Sequence, residues 1–219
     1  MRRVSASLPQ PPDSSETDIV QLAQSTCPPD PERYLDPCEV IDFETPIVRD
    51  LARQLIGTTP LQTAKTCFEY VRDRISHSGD VRASAITCSA SETLREGTGY
   101  CYAKSHLLCA LFRANQLPAG LCYQRLSVDG DGAPFCLHGL AAVFLPDSGW
   151  YRIDPRGNRD EIDAQFCPPT QRLAFTPKLP EERDLPEIHV KPLAQITRAL
   201  RRHTCCDAFE SDLPDLLPA

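Results

Sequence analysis

The chain has 219 residues, 41% of them hydrophobic, and a formal net charge of -7. That is enough to bury one core of roughly 150 to 170 residues without a metal or disulfide staple. The negative charge, with no basic block beyond Arg201-Arg202, sets the protein against phosphate backbones and anionic lipid, so neither nucleic acid nor a membrane is an expected partner. Eleven cysteines, an odd number, cannot all pair within one chain, and in a reducing cytosol they serve mostly as small buried hydrophobes.

Arg2 and Arg3 precede Ser-Ala-Ser-Leu-Pro-Gln-Pro-Pro-Asp, which lacks the apolar stretch of a secretory signal, and no run is long enough to span a bilayer. The expected location is the cytoplasm. Residues 1–37 are broken by Pro9, Pro11, Pro12, Pro28, Pro29, Pro31 and Pro37; they read as a tail or surface wrap, with at most a helical turn around Ile19 to Ala23. The folded domain is expected over 38–175 and an extension over 176–219.

Thr45-Pro46 opens a helix in which Ile47, Val48, Leu51 and Leu55 recur at helical spacing until Gly57. Thr59-Pro60 opens a second, with Leu61, Ala64, Phe68, Val71 and Ile75 as its apolar stripe. A polar loop, Ser76 to Asp80, follows. Ser89-x-x-Glu92 has the pattern of a capping box for a short helix ended by Glu96-Gly97-Thr98-Gly99. From Cys101 a third helix is apolar over much of its surface, which marks it as central.

Strands are expected over Leu121 to Val128, Cys136 to Leu145 and Trp150 to Asp154, divided by the turn sequences Asp129-Gly130-Asp131-Gly132 and Pro146-Asp147-Ser148-Gly149. Beyond Asp154-Pro155 the chain is irregular, with a strand at Glu187 to Val190 and a helix at Leu193 to Arg202. Helices followed by an antiparallel meander make an α+β domain.

Gly97-Thr98-Gly99-Tyr100-Cys101 puts a cysteine where a loop turns into a helix. Free N–H groups and the positive end of the helix dipole favour a thiolate there and offer donors to an oxyanion. Acyl transfer by a thiolate also needs a proton donor held by a third group, and His138 and Asp154, at successive strand-like runs, fill those roles. Both lie on one sheet face only if the loop joining their strands has an odd length or carries a bulge.

These residues resemble the transglutaminase-like superfamily. The resemblance runs through Gly99-Tyr100-Cys101-Tyr102-Ala103-Lys104-Ser105, then Ala110 to Ala119 with Arg113, then Leu137-His138, then Ile153-Asp154-Pro155, and covers about Ile47 to Asn158. It implies a papain-like α+β fold whose Cys101, His138 and Asp154 attack an amide or other acyl group of a peptide or protein; no cofactor is expected, and calcium dependence is not implied. The family's common Gly-Ile-Pro-Ala-Arg is replaced by Gln116-Leu117-Pro118-Ala119-Gly120, so no substrate preference carries over. Oligomeric state is left open.

Other residues read as structural. Cys67 and Cys109 belong to the core; His77, His106, His189 and His203 have no catalytic partner in view. Cys136 and His138 with Cys122 or Cys167 fit none of the common zinc spacings, and Cys205-Cys206 read as ordinary thiols in a mobile tail. The rivals to a thiol hydrolase or acyltransferase are a peptide-binding module on the same fold and an arylamine-type acetyltransferase.

Overall fold

The computed structural model describes residues 30–216; the turn expected around Ile19 to Ala23 lies outside the described residues. A 3-10 turn (Pro31–Tyr34) leads into α1 (Pro46–Gln54), α2 (Pro60–Arg74), a short strand β1 (Ser76–His77), α3 (Ser78–Val81), α4 (Ala90–Glu96), β2 (Thr98–Gly99) and α5 (Cys101–Ala114). Then come β3 (Ala119–Ser127), β4 (Phe135–Leu145), β5 (Gly149–Ile153), β6 (Gln165–Cys167), β7 (Thr170–Arg172), β8 (Arg183–Asp184), α6 (Ala194–Arg202) and α7 (Cys206–Glu210). The order is that of an α+β fold.

Local chemistry sets the helix starts. Thr59 accepts from the Gln62 N–H at 3.1 Å while Pro60 takes the first helical position of α2. Ser89 and Glu92 form the full capping box of α4, and Gly97 ends that helix at φ 66, a left-handed position that costs glycine least. Thr45 sits at the N-cap of α1 but does not cap it: its hydroxyl donates to the Asp42 carbonyl at 2.7 Å.

The main sheet has the order β5-β4-β3-β8 and every pairing in it is antiparallel. Every residue of α5 from Cys101 to Arg113 is buried, and this helix packs on the sheet face that carries Leu121, Tyr123, Leu137, Ala141, Val143 and Ile153. The opposite face carries Cys122, Leu140, Ala142 and Trp150 in a smaller cluster. The hairpin between β4 and β5 pairs Leu145 with Gly149, so its loop is Pro146-Asp147-Ser148, an odd length that keeps His138 and Asp154 on the same face.

Four expectations are corrected. Ser76 to Asp80 is not an open loop: β1 pairs in parallel with β2, and α3 follows. The strand expected at Glu187 to Val190 is a single bridge between His189 and Leu121, while the outer strand is β8; Pro186 and Pro192 bracket the run and interrupt pairing. The irregular stretch after Pro155 contains the β6–β7 hairpin. Cys206 is no tail thiol: it is buried in α7 and its sulfur donates to the Ala83 carbonyl at 3.1 Å, whereas Cys205 is exposed.

The segment just ahead of residue 38 is also pinned. Tyr34 is buried, its ring lies 4.7 Å edge-on from Trp150, and its hydroxyl donates to the Ile188 carbonyl at 2.7 Å. Among the described residues no helix is long and apolar enough to cross a membrane.

Candidate active site

β5 stops at Ile153, while β4 runs on past it toward Phe135. This leaves the N–H and C=O groups of Leu137 and Gly139 on an edge with no strand to pair them. The first turn of α5 fills much of that edge: the Gly139 N–H points at Cys101 Sγ at 3.4 Å, Ser105 donates to the Gly139 carbonyl at 3.2 Å, and Tyr102 donates to the Leu137 carbonyl. Gly139 permits this approach, because a Cβ there would meet Tyr102 Cδ1 at 2.8 Å and Tyr102 Cα at 3.1 Å. A glycine inside a strand was the available sequence signal for that contact.

Cys101 opens α5 behind the N-cap Tyr100, so its own N–H and those of the next residues have no acceptor within the helix. Cys101 is the second group, after Asp154, whose charge favours a protonated His138. The His138 Nε2 meets Asp154 Oδ2 at 2.8 Å, which leaves Nδ1 as the nitrogen available to the cysteine. Asp154 stands one residue past β5 and is fixed by the Arg156 N–H at 3.0 Å and the Ala174 N–H at 3.1 Å. Phe175 closes the other side of the imidazole, edge-on at 4.9 Å. Ala174 and Phe175 were not legible as site residues, since they arrive from an irregular segment.

Electrostatics follow from that enclosure. Burial alone would push His138 toward its neutral form, but the Asp154 carboxylate and then the Cys101 sulfur outweigh it, and the imidazole is pushed up to about 10. Burial likewise opposes ionisation of Asp154, yet the histidine and the two backbone donors hold its carboxyl below the usual range. The arrangement keeps a charged imidazole between two potential anions. Cys101 is 7% exposed and His138 6%, so the trio is covered.

The remaining candidates lie elsewhere. Cys67 and Cys109 are fully buried, and burial pushes each thiol up to about 12. His106 is turned from the site, its Nδ1 on the Cys88 carbonyl at 2.8 Å. His203 pairs with Asp212, His189 lies beside Tyr123, and His77 packs edge-on against Tyr100 at 5.3 Å. Among the described residues, no three His, Cys, Asp or Glu side chains gather to hold a metal.

Residues 49–155 match the profile of the Transglutaminase-like superfamily. The chain carries a transglutaminase-like domain. Its fold is an α+β arrangement, with the helix bearing Cys101 packed against an antiparallel sheet. Similar solved structures include a protein of Cytophaga hutchinsonii assigned as a cysteine protease, 19% identical over 58% of this chain and 42% of that one, with a TM-score of 0.46. The periplasmic domain of TgpA from Pseudomonas aeruginosa, bound to ethylmercury, is 18% identical over 57% of this chain and 48% of its own, with a TM-score of 0.43. A structure described as a TGase is 14% identical over 64% of this chain and 36% of its own, at 0.35. The transglutaminase-like chain thus matches less than half the length of each of these structures. No curated protein matches it.

Proposed function

We propose that this chain is a thiol hydrolase or acyltransferase that acts on an amide or peptide bond through a thioester on Cys101. The observation that carries the reading is the convergence of a helix-opening thiol, a buried imidazole 2.8 Å from a buried carboxylate, and a backbone N–H aimed at the sulfur. The Cys101 sulfur adds to the carbonyl carbon, and first-turn N–H groups of α5 receive the oxyanion. The His138 imidazolium donates its proton to the departing amine as the C–N bond breaks, leaving a thioester. Water, or a second amine, deprotonated by His138, then attacks that thioester and frees the thiol. Asp154 holds the ring and balances its charge throughout.

We further propose a reducing, cytoplasmic location, on the odd count of eleven cysteines in the sequence. The test is iodoacetamide labelling with peptide mapping, wild type against His138→Ala, at about pH 6 where ordinary thiols are protonated. Selective labelling of Cys101 that disappears in the variant supports the reading. Slow, uniform labelling of the cysteines overturns it.

A further inference from the structure

We propose that Leu213–Leu216 occupies a peptide subsite beside Cys101, with Arg125 as its specificity residue, so that the segment covers the thiol until a peptide with an acidic side chain displaces it. This deepens the reading of Cys101 as an acyl-transfer nucleophile and rests on it.

The free edge of β4 supplies the first argument. Alternate N–H groups of a strand point to the same edge, about 7 Å apart. On this edge the Gly139 N–H faces Cys101 Sγ, and the next one, on Leu137, donates to the Pro214 carbonyl at 2.8 Å. The segment therefore bonds to the strand as an added strand would, one repeat from the sulfur.

The second argument is a side-chain clamp directly across the sheet. Arg125 is the β3 residue opposite Leu137, and its Nε and Nη2 donate to the two Asp215 carboxylate oxygens at 2.8 and 2.7 Å. The guanidinium is held over the Phe135 ring at 4.1 Å, which leaves its fork presented in one orientation. Leu213 and Leu216 pack on the main core on either side of the clamped residue. A main-chain donor and a bidentate cation, placed to take one residue's carbonyl and the next residue's carboxylate, are the elements of a subsite for an extended acidic peptide.

The experiment measures the rate of Cys101 carbamidomethylation. Asp215→Ala is expected to raise it about tenfold, the scale of one lost charge-assisted pair, with Cys67 and Cys109 still unlabelled as a check on the fold. The exchange Arg125→Asp with Asp215→Arg is expected to restore the slow rate. Added to the Asp215→Ala protein, the capped peptide Leu-Pro-Asp-Leu should slow labelling and Leu-Pro-Asn-Leu should not. No acceleration in Asp215→Ala, or equal protection by both peptides, overturns the proposal. Acceleration without any dependence on His138 would keep the covering segment and remove the acyl-transfer reading; dependence on His138 without acceleration would do the reverse.

Discussion

His138 Nε2 and Asp154 Oδ2 lie 2.8 Å apart although 16 residues separate them in the chain. Neither group is at home alone in that interior, since burial disfavours both charges and their mutual attraction reverses the penalty. Asp154→Asn keeps the shape and removes the charge. It is expected to lower the rate of Cys101 alkylation near pH 6 by about a hundredfold or more, because the imidazolium loses its counter-ion and the ring its fixed tautomer. Peptide-mapped labelling rates at several pH values check this; an unchanged profile would separate Asp154 from the chemistry.

Gly139→Ala tests the contact between α5 and the free β4 edge. The added methyl group must displace Tyr102 backbone and ring atoms, so the helix start moves away from the strand. A destabilisation of about 1–3 kcal/mol is expected, measured by denaturant unfolding. Cys101 labelling of the folded protein should slow, opposite to the faster labelling that destabilisation alone would bring, since the Gly139 N–H would no longer reach the sulfur.

The pH dependence of stability turns on two buried cations with opposite signs. His138, pushed up to about 10 from an ordinary 6.5, holds a proton in the fold that the unfolded chain releases. Its stabilisation is complete below about pH 6.5 and is lost as pH rises toward about 10. Lys104 is pushed down to about 7 by burial, then by Arg156, so the unfolded chain holds the extra proton and stability rises with pH from about 7 to about 10.5. Each proton of difference is worth about 1.4 kcal/mol per pH unit. The two slopes largely cancel, so the wild-type Tm should be nearly flat from about pH 7 to about 8; above about pH 8.5 it should fall, because burial pushes Cys88 up to about 11 and Cys67, Cys109, Cys122 and Cys136 up to about 12, and the unfolded chain releases protons that these thiols keep in the fold. Between about pH 7 and 8, His138→Gln should give a Tm that rises with pH and Lys104→Met one that falls, followed by calorimetry; identical slopes in all three proteins would contradict the assignment.

Much of this was legible in the sequence because it is written in local chemistry. The Ser89-Glu92 capping box, the Thr59-Pro60 start and the apolar Cys101 helix each declare themselves within a few residues, and the parity of a three-residue loop after Leu145 is enough to bring His138 and Asp154 to one face. What stayed hidden depends on distant partners. β1 exists only because β2 comes alongside it, α7 is held by Phe209 packed 4.5 Å from Tyr100, and the covering of His138 by Phe175 comes from a segment with no period to read. Pairing and docking across long separations leave no pattern inside short, irregular runs.

Arg113 shows how one motif residue joins the chain's distant parts. It is completely buried, with Nε and Nη2 donating to the Ala119 carbonyl at 2.9 and 2.7 Å, Nη1 to the Asp36 carbonyl at 2.6 Å and Nη2 also to the Val190 carbonyl at 2.7 Å. The partners are backbone oxygens, and burial holds the guanidinium below its ordinary pKa, so its work is to satisfy carbonyls where α5, β3 and two loops meet. Arg113→Met should leave those oxygens without donors and cost about 3 kcal/mol or more. Arg113→Lys should recover only part, because an ammonium cannot fan its donors across one plane. Urea unfolding gives the two values, and a loss below about 1 kcal/mol for the methionine variant would mean that water or a shifted loop replaces the guanidinium.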